Sequence, residues 1–274
     1  PGGCLVSQCD KKTGGCVNVT DSTQCDDNNP CTTDSCDAGA CKNAAVDAGT
    51  GCVEAAAGVG VCDKNKKCLA APGEDLKFVP ASKVAMGCKG AAKVCTQADE
   101  LPQHEVSVDP FWIQRFEVTV EQYTACTTAG QCTATPTKAT IPGCTFGVAE
   151  LGKSPINCVT WQQATDYCTF LGGGARLPTE AEWAKAARGG CEQYTSCSKD
   201  AYTYVWGDAP EPDCNRAIHD AQGGPGCGEG GPAAVGSLLK GDETLYGVND
   251  MAGNVWEWVG DFYAADWYGK AGAT

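Results

Sequence analysis

Residues 246–261 read YGVNDMAGNVWEWVGD, and residues 176–190 read RLPTEAEWAKAARGG. In the first stretch Asp250 and Glu257 flank a turn containing Gly253. Two carboxylates and the carbonyls of such a turn suit a hard cation such as Ca²⁺; the competing reading is a capped, solvated turn. Trp256 and Trp258 stand two apart, on the same face of an extended segment, and are expected as core anchors rather than a ligand-stacking platform. In the second stretch Pro178, Thr179 and Glu182 form a helix start: the threonine hydroxyl serves the third helical amide and the glutamate reaches back. Trp183, Ala186 and Ala187 then form the inner face, and Gly189-Gly190 ends the helix. Capping and dipole stabilisation account for Glu180 and Glu182, which leaves no reason to read them as an acid/base pair.

Further upstream, residues 104–119 alternate as short strands do, with Val106 and Val108 on one side before Phe111, Trp112, Ile113 and Phe116. Thr119-Val120-Glu121-Gln122 is another capping box, with Gly130 as the stop. A helix is predicted over 160–171, where Trp161, Ala164, Tyr167, Cys168 and Leu171 fall at helical spacing, with one face buried, and Gly172-Gly173-Gly174 ends it. Residues 191–236 are rich in Gly, Pro and Cys without periodicity and read as long loops pinned by disulfides.

The 274 residues carry 21 cysteines and a formal charge of −14. That charge repels phosphate backbones and argues against a nucleic-acid partner. No stretch is long and apolar enough for a membrane helix, and no basic-then-apolar leader opens the chain. So many cysteines point to disulfides, hence to a processed, secreted or cell-surface polypeptide.

Ten cysteines fall in residues 1–68, which hold no aromatic residue, so cross-links must substitute there for a packed core. A repeat of period 27 aligns Cys4, Cys9 and Cys16 with Cys31, Cys36 and Cys41, the last spacing shortened. Cys25 precedes the second copy and nothing precedes the first, so Pro1 is expected to lie inside an array that starts upstream. Residues 26–34, DDNNPCTTD, gather short oxygen-bearing side chains, open to reading as a calcium loop or as a polar turn. All the Phe, Trp and Tyr lie beyond Pro72, which places a domain boundary there. Local pairs are expected for Cys88 with Cys95, Cys126 with Cys132, Cys144 with Cys158, Cys191 with Cys197 and Cys214 with Cys227, leaving Cys168 over. Asn18-Val19-Thr20 is a glycosylation acceptor sequence, and the Thr-rich run 127–140 could take O-linked sugar.

Residues 78–87 (FVPASKVAMG), 104–123, 176–190, 204–208 (YVWGD) and 246–261, in this order and spacing, resemble the formylglycine-generating enzyme family, also called the sulfatase-modifying-factor domain. The resemblance implies an α+β, C-type-lectin-like fold of twisted antiparallel strands, two principal helices and irregular loops, often stabilised by calcium. Here a small disulfide-rich module, residues 1–71, would precede a domain over 72–274 whose C-terminal part is expected to be missing. It further implies a Ca²⁺ site with Asp250 and Glu257 as side-chain ligands and Gly253 and Val255 as carbonyl ligands. A second family calcium loop would begin near Asn215 and Arg216. There the sequence departs, with Cys214 and Cys227 bracketing a Gly-rich insertion and no clear acidic partner beyond Asp220.

Family enzymes hold copper with a pair of cysteine thiolates downstream of the WEW motif and oxidise a cysteine of a client sulfatase to formylglycine. The last cysteine here is Cys227, and the two histidines, His104 and His219, make no substitute cluster for soft Cu(I). Copper is not expected in this chain: either the sequence is truncated or the domain has lost the chemistry. Cys168 matches a family cysteine bridged to one near the domain's C-terminus, which implies a longer parent; a buried free thiol is the alternative. No nucleophile-elbow, zinc-protease or phosphate-loop signature is present, and no catalytic residue is assigned. The expectation is a secreted binding or assembly protein using a non-catalytic domain of this type. Its partner would be an extracellular protein or glycan, or further copies of itself in a multimer or filament. The alternative is a copper-dependent oxidase whose catalytic C-terminal segment is absent from this chain.

Overall fold

The computed structural model describes residues 4–9, 16–29, 31–38, 40–46, 51–54, 58–62, 66, 68–70, 75–88, 97–191, 204–207, 211–220, 224–238 and 243–270. The chain falls into two compact units, Pro1–Glu74 and Asp75–Thr274.

In the first unit each copy of the repeat is a β-hairpin preceded by a buried cysteine. Strands β1 (Leu5–Cys9) and β2 (Cys16–Thr20) pair antiparallel with Cys9 opposite Cys16, and β3 (Thr32–Asp37) and β4 (Ala40–Ala45) pair with Cys36 opposite Cys41. The shortened spacing is thus a tighter hairpin turn, in which Ala38 takes a left-handed φ of 50°. A three-stranded sheet follows, of β5 (Gly51–Glu54), β6 (Gly58–Cys62) and β7 (Cys68–Ala70). The bridges run across the repeat: Cys4 with Cys36, Cys25 with Cys41, and Cys31 with Cys62. Cys4 and Cys31 are fully buried, so oxidised sulfur occupies the place of an apolar core.

The second unit is built on a ribbon. Strands β8 (Leu76–Val79) and β9 (Ser82–Met86) pair antiparallel with β11 (Phe111–Gln114) and β10 (His104–Val108) respectively. Both ladders share one register, so the four strands are two long ones interrupted where Pro80 comes opposite Pro110. Neither proline has an N–H to donate, and the ladder breaks there. The Pro80 carbonyl accepts instead from Lys185 Nζ, and Lys185 is fully buried.

Three helices follow: α1 (Val120–Thr128), α2 (Trp161–Leu171) and α3 (Glu180–Arg188). Thr119 with Gln122 and Thr179 with Glu182 form the expected capping boxes, and Thr160 with Gln163 forms a third. Glu182 is held twice, because Arg176 clamps its carboxylate with bonds of 2.7 and 2.6 Å. Burial works against that charge, yet the Arg176 clamp and the Thr179 amide keep the carboxyl below its ordinary pKa.

One core joins Val79 to Ala186, Ala187, Val205, Val248 and Met251, with Trp183 and Trp206 packed on it. Another joins α1 and α2 through Val120, Tyr123 and Tyr167. The face expected to be buried on α2 is only partly so: Tyr167 is buried, whereas Leu171 is 45% exposed, because the helix packs on α1 along its Tyr167 side alone. Residues 211–220 and 224–236 form turns and one short 3₁₀ turn, pinned by the Cys214–Cys227 bridge. Cys126 with Cys132 and Cys144 with Cys158 pair as expected. Cys88 and Cys191 are disulfide-bonded, and their expected partners Cys95 and Cys197 lie outside the described residues. Cys168, half-buried in α2, is free. The Asn18 side chain also lies outside the described residues.

Replacing Lys185 with Met keeps the aliphatic stem and removes the donor to Pro80; it is expected to cost about 1–3 kcal/mol in chemical denaturation. Burial pushes the Cys168 thiol up. Iodoacetamide is therefore expected to label Cys168 in the native protein at pH 8 more slowly than after denaturation without reductant, read by peptide mass.

Candidate functional site

Segment 243–261 has no regular strand or helix; its shape comes from bonds to its surroundings. Asn249 N donates to the Arg115 carbonyl at 2.9 Å, and Arg115 Nε donates back to Asn249 Oδ1 at 2.9 Å. This exchange docks the turn beside the link between β11 and α1, which carries Glu117. Asp250 and Asn254 both take φ near 64°, a left-handed conformation that Asp and Asn tolerate best after glycine. Between them, a Cβ on Gly253 would stand 2.4 Å from the Ile218 carbonyl oxygen, so only glycine fits. Asn254 N donates to that same carbonyl at 2.8 Å, and its Oδ1 accepts from Ala233 N at 2.9 Å. Asp250 Oδ2 accepts from Gly236 N at 2.6 Å.

Beyond the turn the chain is stitched to two helix starts. Glu257 Oε2 accepts from Trp183 Nε1 at 2.9 Å, Gly260 N donates to the Pro178 carbonyl at 2.8 Å, and Asp261 Oδ2 accepts from Glu180 N at 2.6 Å. Trp161 Nε1 donates to the Val259 carbonyl, and Trp258 Nε1 to the Val159 carbonyl.

Of the expected ligands, Asp250 is buried, Gly253 and Val255 are half-buried, and Glu257 is exposed as a residue. Protein packed around the Glu257 carboxylate nonetheless raises its pKa to about 7, offset only by the Trp183 hydrogen bond. The structure adds a third acidic residue, Glu117. Burial, the charges of Asp250 and Glu257, and a hydrogen bond shared with Asp250 push it up to about 10. Asn254 Nδ2 reaches Glu117 Oε2 at 3.4 Å, while Oε1 is buried and faces no donor. An all-oxygen set of acidic groups that raise one another's pKa is the environment a divalent cation relieves. Sequence reading passed over Glu117, whose only local signal is an acidic residue between a strand and a cap.

Two further expectations change. Trp256 is fully exposed and Trp258 is 48% exposed, so they are not core anchors; spacing puts both on one side of the segment, but among the described residues nothing lies over Trp256. Phe262, Tyr263 and Trp267 extend this exposed aromatic face. At the second expected calcium loop, the Asn215 amide and the Arg216 guanidinium both turn to Asp213. In the first unit Asp26, Asp27 and Asp34 do converge, but Asp26 and Asp27 accept from the loop amides of Asn28 and Asn29, as a polar turn does. Asp34 Oδ1 alone there faces no donor. In the 204–208 motif Tyr204 stacks on Trp206 and exchanges backbone bonds with Gly207; Asp208 lies outside the described residues.

Residues 64–272 match the family described as the sulfatase-modifying factor enzyme 1-like domain. A formylglycine-generating enzyme of Thermomonospora curvata is 37% identical over 123 residues, 42% of this chain and 35% of the relative. An inactive C-alpha-formylglycine-generating enzyme 2 of Bos taurus is 34% identical over 122 residues, 43% of this chain and 36% of the relative. The chain thus spans about a third of the length of these curated relatives. PvdO from Pseudomonas aeruginosa, with 23% identity, a TM-score of 0.53 and cover of 82% of this chain and 79% of its own, shares the α+β fold. With the ribbon, the capped helices and the 246–261 turn in the order this family has them, the chain belongs to the sulfatase-modifying factor family.

Proposed function

We propose that this chain is part of a secreted binding or assembly protein whose sulfatase-modifying-factor domain holds Ca²⁺ and presents a contact surface without oxidising a substrate. The observation that carries the reading is the aromatic face. Trp256, Trp258, Phe262, Tyr263 and Trp267 are all exposed between positions 256 and 267. Contiguous exposed apolar surface marks interaction sites, and aromatic side chains are the usual anchors of binding energy. The partner is an extracellular protein or glycan, or a further copy of the chain. Its disulfides, and the lack among the described residues of a helix long and apolar enough to cross a membrane, support a place outside the cell. Calcium would be held by Asp250 and Glu257 with the carbonyls of Gly253 and Val255, where it would neutralise crowded acidic groups and fix the turn from which the aromatic face projects. A family relative named as inactive supports a non-oxidising role.

A second reading, a copper-dependent oxidase needing a further catalytic segment, is supported by the named formylglycine-generating relatives and by the unbridged Cys168.

Two measurements decide between them. Air oxidation of a cysteine-bearing peptide by the purified chain with copper is expected to yield no aldehyde, by mass spectrometry; aldehyde would overturn the non-catalytic reading. The calcium reading has a pH signature. Glu257 at about 7 and Glu117 at about 10 stay protonated in the fold after the unfolded chain has released its protons, above about 4.5. Stability without metal therefore falls as pH rises from about 5 to 7 for Glu257, and on toward 10 for Glu117. In EDTA the melting temperature is expected to drop over that range, and millimolar CaCl₂ to remove most of the drop.

A further inference from the structure

We infer that Glu117 is a third carboxylate ligand of the Asp250–Glu257 cation site, supplied from the link between β11 and α1. The inference rests on the calcium reading above and adds to it a ligand far away in sequence. Its starting point is Glu117 Oε1, which is buried and faces no donor. A carboxylate oxygen withdrawn from water without a donor is costly, and a cation is the partner that removes the cost when the neighbours are acidic.

The surroundings offer no protein cation in its place. Arg115, two residues earlier, gives its Nε to Asn249 and its NH2 group to Glu243, with its guanidinium over the Phe116 ring. The one donor to Glu117 among the printed hydrogen bonds is the Asn254 amide, on the other oxygen at 3.4 Å. Asn254 is itself fixed by Ala233 and Ile218, so it orients the carboxyl without neutralising it.

Glu117 also stands on a rigid support. The adjoining Val118 carbonyl accepts from Ile156 N at 2.8 Å, and Thr119 caps α1. A cavity of about 110 Å³ borders the residue, lined by Asp75, Gln114, Thr119 and Gln122, with room for the waters that complete a calcium shell. The competing role is a proton shared with Asp250, which needs no metal.

The test is calorimetric titration of CaCl₂ into the EDTA-treated full chain, with Glu117→Gln, Glu117→Asp and Asp250→Asn beside the wild type, and melting curves of each without metal. Glu117→Gln is expected to weaken calcium about tenfold or more. Without metal the same variant is expected to melt above the wild type, because one of three crowded carboxylates is gone; a residue with only a packing role would melt lower. Glu117→Asp, which keeps the charge with shorter reach, is expected to bind between the two. If the wild type takes no calcium, or Asp250→Asn binds as the wild type does, the calcium reading itself fails and Glu117 falls with it. If Asp250→Asn loses calcium while both Glu117 variants keep wild-type affinity, Glu117 is a proton-sharing neighbour and this inference alone is overturned.

Discussion

A buried ammonium on one carbonyl organises the second unit. Two prolines facing each other break the ribbon, and the Pro80 carbonyl that loses its ladder partner takes Lys185 Nζ. An ammonium out of water needs strong acceptors, so the helix cannot slide along the ribbon without stranding it. The position of α3 is thereby set, and the site hangs from α3: the Pro178 carbonyl, the Glu180 amide and the Trp183 indole each hold a residue between 257 and 261. The other side of the turn is held by Asn249 against Arg115, at the end of the same ribbon. Glu117 and Glu257 thus come together because both ends of one proline-broken ribbon fix the elements that carry them.

What could be read from sequence was what is decided locally. The boxes at Thr119 and Thr179 involve residues three apart, whose partners are fixed by helix geometry alone. The box at Thr160 carries the same signal, and the helix was expected there without its cap. The period-27 repeat was legible because each copy is one hairpin closing on its own cysteines. Bridges spaced 6, 14 and 13 residues apart were legible too, since short loops offer few alternatives. The crossing of bridges between copies was not, because nothing in cysteine spacing says which copy a sulfur meets.

Tertiary burial was the main blind spot. Alternation places Trp256 and Trp258 on one side but cannot say whether anything covers that side, and here solvent does. Glu117 failed for the opposite reason: a charged residue beside a helix cap ordinarily faces water, and only the docking of residues 249–257 takes it inside. The acidic cluster is therefore a product of topology, joining positions more than 130 residues apart. Its local chemistry is simple once assembled: oxygen atoms that repel one another in a medium that screens poorly.

The crossed bridges of the first unit also determine how it would transmit a pull. A chain of ~58 residues from Cys4 to Cys62 could be drawn out to about 200 Å. With Cys4 tied to Cys36 and Cys31 tied to Cys62, the taut path runs through one bridge, back along the few residues between Cys36 and Cys31, and out through the other. That path reaches only about 30 Å. Even with every hairpin melted, the segment would behave as a nearly inextensible tether, and a protease cut in either hairpin turn would leave its load path intact.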